Sequence, residues 1–286
     1  MEWGSLLRPS QWIKNMFVLA PVLFSGRFKE PAALLSALAA FIAFCLLASG
    51  VYAVNDVIDR RADAAHPLKR TRPIASGRIS PGPAVAAALA LWVAGLFVGW
   101  AINPLVAGVG VVYITLNLAY SLRLKHVVIV DVFAIAAFFV LRLLAGSVAV
   151  SVQPSIWLLT CGSLLALYLG FAKRRHELIE LGAGSVSHRT VLAEYSPAFL
   201  DQISAVLLAV TIVAYMMYTL SPAKVTAYGH ALAFSTVFVL FGVFRYLYLV
   251  HQRLQGSPTE ALLADRPLMV DVLVWAVYCG IVVLNG

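Results

Sequence analysis

Nine runs of apolar residues limit what this chain can fold into. They cover roughly 11–26, 33–55, 84–101, 104–121, 127–148, 155–174, 199–220, 230–250 and 267–285. A membrane helix needs about 20 mostly apolar residues to match the hydrocarbon thickness. Inside a bilayer the backbone must satisfy its own hydrogen bonds, which leaves helices and closed barrels. The runs are continuous rather than alternating, whereas a barrel strand needs only about 9–11 residues with a period of two. The expected fold is an all-α integral membrane protein, one domain over 1–286. It is a bundle of about nine transmembrane helices around a central cavity. Charged residues make up only 12% of the 286, against about 25% in soluble domains. The mean hydropathy is +0.89. Little room remains for a separate soluble domain.

The first run is the irregular one. Lys14, Asn15 and Pro21 interrupt it, so a tilted or partly re-entrant helix is expected there. The link between the third and fourth runs is Asn103-Pro104, and so tight a turn makes its two helices antiparallel. Cys45, Cys161 and Cys279 lie inside apolar runs without metal-ligand spacing and read as small core residues. No cleavable leader is expected: residues 1–15 are polar, carry Trp3 and Trp12, and lack an early apolar core.

Lys and Arg set the orientation. With a cytoplasmic N-terminus, 17 of the 21 fall on the inner side, on the connections or at the inner ends of the runs. Arg27, Lys29 and Lys224 fall outside, and Arg142 lies within a run. The excess of basic residues on cytoplasmic loops is the usual signature of a multi-pass membrane protein, and the plasma membrane is the expected location. It explains the net charge of +8 without a nucleic-acid partner. Polar residues concentrate on the inner side at 55–80, 120–126 and 173–195, so chemistry is expected at the cytoplasmic mouth.

The densest cluster is Asn55, Asp56, Asp59 and Asp63. On a helix continuing past the second run, at about 100° per residue, they fall at roughly 0°, 100°, 40° and 80°. Tyr52 shares that face. Three carboxylates so close repel one another, and a hard divalent cation removes the conflict. Mg²⁺ takes oxygen ligands, commonly one or two carboxylates plus substrate phosphates. The plainer alternative is a solvated helix end balanced by Arg60, Arg61 and Lys69, which gives the acids no reason to share a face. Ala62, Ala64 and Ala65 extend the helix and His66-Pro67 is expected to end it.

Four more groups lie at the same depth. Lys69, Arg70, Arg72 and Arg78, shaped by Pro73 and Gly77, serve either as the topology signal or as a grip on phosphate oxygens. Tyr120 and Arg123 meet on one face if the fourth run stays helical, with Lys125 just beyond. Either an interfacial anchor or a polar site fits them. Lys173-Arg174-Arg175-His176-Glu177 and Ser187-His188-Arg189 read as structural or phosphate-facing. Their histidines lack i, i+4 spacing for a transition metal. Arg8-Pro9-Ser10-Gln11-Trp12-Ile13-Lys14-Asn15 reads as an interfacial anchor or part of the site. Arg142, mid-run, is expected to be functional or paired; about 16 Å of helix separates it from Asp131, which it could reach only through a partner helix or a cavity.

Asn55-Asp-x-x-Asp-x-x-x-Asp63, the run Arg72-Pro73-Ile74-Ala75-Ser76-Gly77, and Tyr120-Ser121 with Lys125 resemble the UbiA-type intramembrane prenyltransferase superfamily. The resemblance covers nearly the whole chain. It implies nine helices that bind a diphosphate substrate through Mg²⁺ on two Asp-rich motifs. The sequence departs from that pattern at one place. Lys173-Arg174-Arg175-His176-Glu177 stands where the second Asp-x-x-x-Asp is expected.

The decaprenyl-phosphate phosphoribosyltransferase branch is similar in this replacement. It is also similar in Arg8-Pro9-x-Gln11-Trp12-x-Lys14-Asn15 and in Asp63-x-x-His66-Pro67-x-Lys69-Arg70-x-Arg72-Pro73. The resemblance implies transfer of a 5-phosphoribosyl group from phosphoribosyl diphosphate to a polyprenyl phosphate, releasing diphosphate, for cell-envelope arabinan precursors. Asp56, Asp59 and Asp63, with Asn55, would hold Mg²⁺ and the leaving group. Lys14, Asn55, Lys69, Arg70, Arg72, Tyr120, Arg123, Lys125, Lys173, Arg174, Glu177 and Arg189 would bind substrate. Self-association into a homo-oligomer is compatible with this reading.

Two other readings compete. A prenyltransferase acting on an aromatic acceptor needs a second carboxylate pair. A transporter of anionic metabolites would place ionisable groups near the midplane, where only Arg142 lies.

Overall fold

The computed structural model describes residues 2–65, 69–181, 192, 194–252 and 265–285. Among them, eight helices are long and apolar enough to cross a membrane. They are α1 (Pro31–Ile58), α2 (Pro81–Ile102), α3 (Pro104–Leu122), α4 (Val130–Ala149), α5 (Ile156–Leu181, spanning over Ile156–Ile179), α6 (Pro197–Thr219), α7 (Thr236–Gln252, which spans together with the short helix before it as Ala231–His251) and α8 (Arg266–Asn285).

The run at 11–26 does not form such a helix. It folds as a 3-10 helix, Pro9–Leu19, followed by a five-residue α-helix, Ala20–Phe24. Three features account for this. Arg8 has a left-handed backbone, φ 50°, directly before Pro9. Asn15 is buried and tied to Arg142 of α4. Gly146 of α4 lets the segment approach so closely that a Cβ there would collide with the Val18 carbonyl. A 3-10 helix rises about 2.0 Å per residue, so eleven residues reach roughly 22 Å, where an α-helix would reach about 16 Å. The segment thus keeps much of the reach of a crossing.

The chain divides into two compact units, one of residues 1–155 with 187–191, the other of 156–186 with 192–286. In the first, α1 packs on α2 through small residues. A Cβ on Gly95 would meet Leu47 at 2.8 Å and the Ala43 carbonyl at 3.0 Å. Small residues of this kind let membrane helices approach closely. Asn103 alone joins α2 to α3. Its amide N–H donates to the Gly99 carbonyl at 3.0 Å, and its side chain caps α3 by accepting from Leu105 at 2.9 Å. Phe44, Leu47, Val51, Val106, Tyr113 and Phe138 form the core.

In the second unit α5 pairs with α6 and α7 with α8. Its core holds Tyr168, Leu208, Tyr246, Leu249 and Leu268. Ser196 caps α6, accepting from Phe199 N–H at 3.2 Å, with Pro197 in the first turn. The α5 helix runs seven residues beyond the expected end at 174, so 173–177 lie on the helix rather than in a loop.

At 28 residues, α1 is about 42 Å long, against roughly 30 Å of hydrocarbon. Its polar last turn, Asn55 to Ile58, is therefore surplus to the span.

Candidate active site

The helix carrying the acidic cluster does not continue unbroken. It ends at Ile58, Asp59 turns, and a six-residue helix resumes at Arg60–Ala65. Backbone bonds bridge the break: Asp59 N–H donates to Asn55 at 2.9 Å and Asp63 N–H to Asp59 at 2.8 Å. The angular order survives, but the four polar residues divide into two pairs.

Asn55 and Asp59 face the end of α3. Ser121 Oγ lies between Asn55 Oδ1 and the Asn117 carbonyl. Lys125 Nζ donates to Asp59 Oδ1 at 2.6 Å. Asp56 and Asp63 face the other way and are buried. Arg72 Nη1 reaches both, at 3.2 Å from Asp56 Oδ1 and 2.6 Å from Asp63 Oδ2. Arg8 Nη2 donates to the same Asp56 oxygen and its guanidinium stands 5.3 Å from the centre of the Tyr52 ring. The division follows the helical arithmetic. The residues at roughly 0° and 40° meet α3, and those at about 80° and 100° meet the arginines.

The donor set suits a hard divalent cation. Every candidate ligand is a side-chain oxygen, and two buried carboxylates converge on one cationic nitrogen. Among the described residues, no group of three or more His, Cys, Asp or Glu could hold a metal by itself. Mg²⁺ commonly completes a two-carboxylate site with substrate phosphates, and Asp56 with Asp63 fits that pattern.

The Pro9–Leu19 segment brings Arg8 into place. Trp12 Nε1 donates to Ser49 Oγ at 3.0 Å, and Ser49 donates to the Leu7 carbonyl at 2.9 Å. Asn15 accepts from Arg142 Nε at 2.7 Å and donates to Cys45 Sγ at 3.3 Å. Arg142 is buried and also donates to the Phe138 carbonyl at 2.8 Å and Tyr113 Oη at 3.0 Å. It meets neutral acceptors, not Asp131.

The remaining expected residues vary. Lys69, Arg70 and Lys14 are exposed. Arg78 pairs with Glu2 at 2.7 Å, away from the acids. Helix α3 stops at Leu122 and Arg123 leaves helical geometry. Arg123 is exposed, while the Tyr120 ring packs edge-on against Phe138 at 5.8 Å.

In the second unit, Arg174 is fully buried and donates to Glu177 at 2.6 Å, while Lys173 is exposed, 4.0 Å from Glu177. Arg175 binds Asp201 of α6, which also lies 3.3 Å from His251 of α7. His66, Pro67, Ser187, His188 and Arg189 lie outside the described residues. Arg8, Ser121 and Asp201 were not among the expected site residues, although Arg8 and Ser121 stand within the motifs quoted from the sequence. Their partners are 48, 66 and 26 residues away, so spacing along the chain does not pair them.

The sequence model of the UbiA prenyltransferase family matches residues 16–189. The chain belongs to the UbiA prenyltransferase family. This UbiA-family chain is 32% identical over 284 residues to a decaprenyl-phosphate phosphoribosyltransferase of Mycobacterium tuberculosis, covering 98% of this chain and 93% of that protein. It is 33% identical over 279 residues to the protein of the same name from Corynebacterium glutamicum, covering 96% and 83%. Among solved structures, a UbiA homolog from Archaeoglobus fulgidus bound to DMAPP and Mg²⁺ matches with a TM-score of 0.72 at 18% identity, over 99% of both chains. The helical UbiA fold is thereby shown for this chain.

Proposed function

We propose that this protein transfers a 5-phosphoribosyl group from phosphoribosyl diphosphate to a long-chain polyprenyl phosphate, releasing diphosphate. The observation that carries the reading is the likeness, over 98% of the chain, to proteins named for that activity. The site's chemistry supports it, because two convergent carboxylates beside two arginines suit a cation–diphosphate pair. The basic 173–177 run in place of an Asp-rich motif suits a donor with additional phosphate.

In the proposed reaction, the bond from the ribosyl anomeric carbon to diphosphate breaks and a lipid phosphate oxygen bonds to that carbon. Positive charge develops on the sugar as the leaving group departs, as in glycosyl transfer. The acceptor phosphate is already ionised, so no strong general base is needed. Asp56, Asp63, Asp59 and Asn55 hold Mg²⁺ and the diphosphate end of the donor. Bound Mg²⁺ would neutralise charge on the leaving diphosphate. Arg72 and Lys125 provide cationic contacts, with Lys69, Arg70, Lys14, Tyr120 and Arg123 at the rim. Most of the rate comes from positioning and charge neutralisation. For the second unit taken by itself, Lys173, Arg174 and Glu177 form a phosphate-binding cluster; Arg189, which the sequence reading assigns to substrate binding, lies outside the described residues.

The Lys and Arg distribution supports a cytoplasmic N-terminus and site in the plasma membrane. The reach of Pro9–Phe24 supports a ninth crossing. The reading is tested by label transfer from phosphoribosyl diphosphate to polyprenyl phosphate in the presence of Mg²⁺. A second reading, prenyl transfer to an aromatic acceptor, is favoured by the fold's match to a homolog bound to DMAPP.

A further inference from the structure

Asp56 and Asp63 are 3% and 4% exposed, while the side chains of Arg8 and Arg72 above them are 24% and 29% exposed. An anion reaching this site meets guanidinium before carboxylate. A cation meets guanidinium too, and finds one oxygen of each carboxylate, Asp56 Oδ1 and Asp63 Oδ2, already paired with arginine. Asp56 Oδ1 serves both arginines, and Arg72 Nη1 serves both acids.

We propose that Arg8 is a diphosphate-binding residue held in reserve on Asp56, and that Arg8 and Arg72 exchange carboxylate for diphosphate when a divalent cation enters. Two arginines and two aspartates leave the cluster near neutrality. A divalent cation alone would add two positive charges beside two guanidiniums. Diphosphate alone would face two carboxylates. The two together restore balance: the cation takes the carboxylate oxygens and the released guanidiniums take phosphate oxygens. Binding of either ligand therefore strengthens the other, and the coupling is reciprocal by linkage.

Arg8 is built for such a move. Its backbone is fixed by the left-handed turn before Pro9, so only the side chain needs to swing. The Tyr52 ring, 5.3 Å away, offers a face to the guanidinium on either partner. Arginine's planar fork suits both carboxylate and phosphate.

The inference rests on the reading that the donor carries a diphosphate, and it is independent of which group that diphosphate leaves. The test uses purified full-length protein, Mn²⁺ as the cation and inorganic diphosphate as the anion, with bound Mn²⁺ followed by its EPR signal. Diphosphate should tighten Mn²⁺ binding by about tenfold or more in the natural protein. In Arg8→Met, Mn²⁺ alone should bind more tightly than in the natural protein, because a competing cation is gone. The enhancement by diphosphate should fall by roughly tenfold. Arg8→Lys keeps the charge and should give intermediate coupling, so it provides the test if Arg8→Met fails to fold. Weaker Mn²⁺ binding to Arg8→Met without diphosphate would make Arg8 a support for Asp56 only and overturn the proposal. So would full retention of the enhancement. Because no phosphoribosyl group or lipid is present, failure here leaves the proposed transfer reaction standing, and the reverse also holds.

Discussion

Lys125 Nζ lies 2.6 Å from Asp59 Oδ1, closing the end of α3 against the break after α1. Asp59 is the acid that turns away from the arginines, and Lys125 is what it turns to. The pair is partly exposed, with Asp59 at 38%. Such pairs contribute at most about 1 kcal/mol. Lys125→Met should therefore leave the melting temperature nearly unchanged while raising the KM for the donor. Thermal melts in detergent, run beside donor titrations, separate the two effects. A large loss of stability with unchanged KM would make the pair structural.

Asp63→Asn tests the convergence of the two buried acids. The substitution keeps the shape and removes one of the two charges meeting at Arg72 Nη1. Mn²⁺ affinity in the presence of diphosphate should fall by about tenfold or more. Equal affinity in the variant and the natural protein would remove Asp63 from the ligand set.

Arg142 is a test of the N-terminal segment's anchoring. Its guanidinium reaches Asn15, Phe138 and Tyr113 with three separate nitrogens. Lysine keeps the charge but has a single nitrogen and cannot span those acceptors. Arg142→Lys should cost about 2 kcal/mol, as buried polar groups lose partners. A thermal or denaturant melt measures it, and a stability loss no greater than that of an exposed Lys/Arg exchange would contradict the account.

Gly146 is the contact point between α4 and the 3-10 segment. Gly146→Val forces a side chain into the Val18 carbonyl and should destabilise by about 2–3 kcal/mol. Gly108, where a Cβ meets nothing within 4 Å, is the control. Gly108→Ala should melt within a degree or two of the natural protein.

The apolar runs announced the helices well. The run at 84–101 became Pro81–Ile102, and 104–121 became Pro104–Leu122, because apolar length and flanking Pro mark membrane helices directly. The same reading failed at 11–26. Whether that segment is α or 3-10 depends on Asn15 meeting Arg142 and on Gly146 admitting Val18, contacts more than 120 residues apart that periodicity does not register. The acidic face was legible from Asn55 to Asp63, but its division was not, since Asn55 meets Ser121 at the end of α3 and Asp59 meets Lys125 in the 3-10 turn beyond it. Arg8 read equally well as an interfacial anchor. Its role emerges only when the 3-10 segment folds back and sets it on Asp56.

The most direct test of the central claim is lipid labelling by the purified protein. Phosphoribosyl diphosphate labelled in the ribose, polyprenyl phosphate and Mg²⁺ should yield a labelled lipid and one equivalent of diphosphate. The label should be lost on chelation of the metal and in Asp59→Asn. If no polyprenyl phosphate of any chain length takes up label, while a prenyl diphosphate donates its prenyl group to an aromatic acceptor, the account is contradicted.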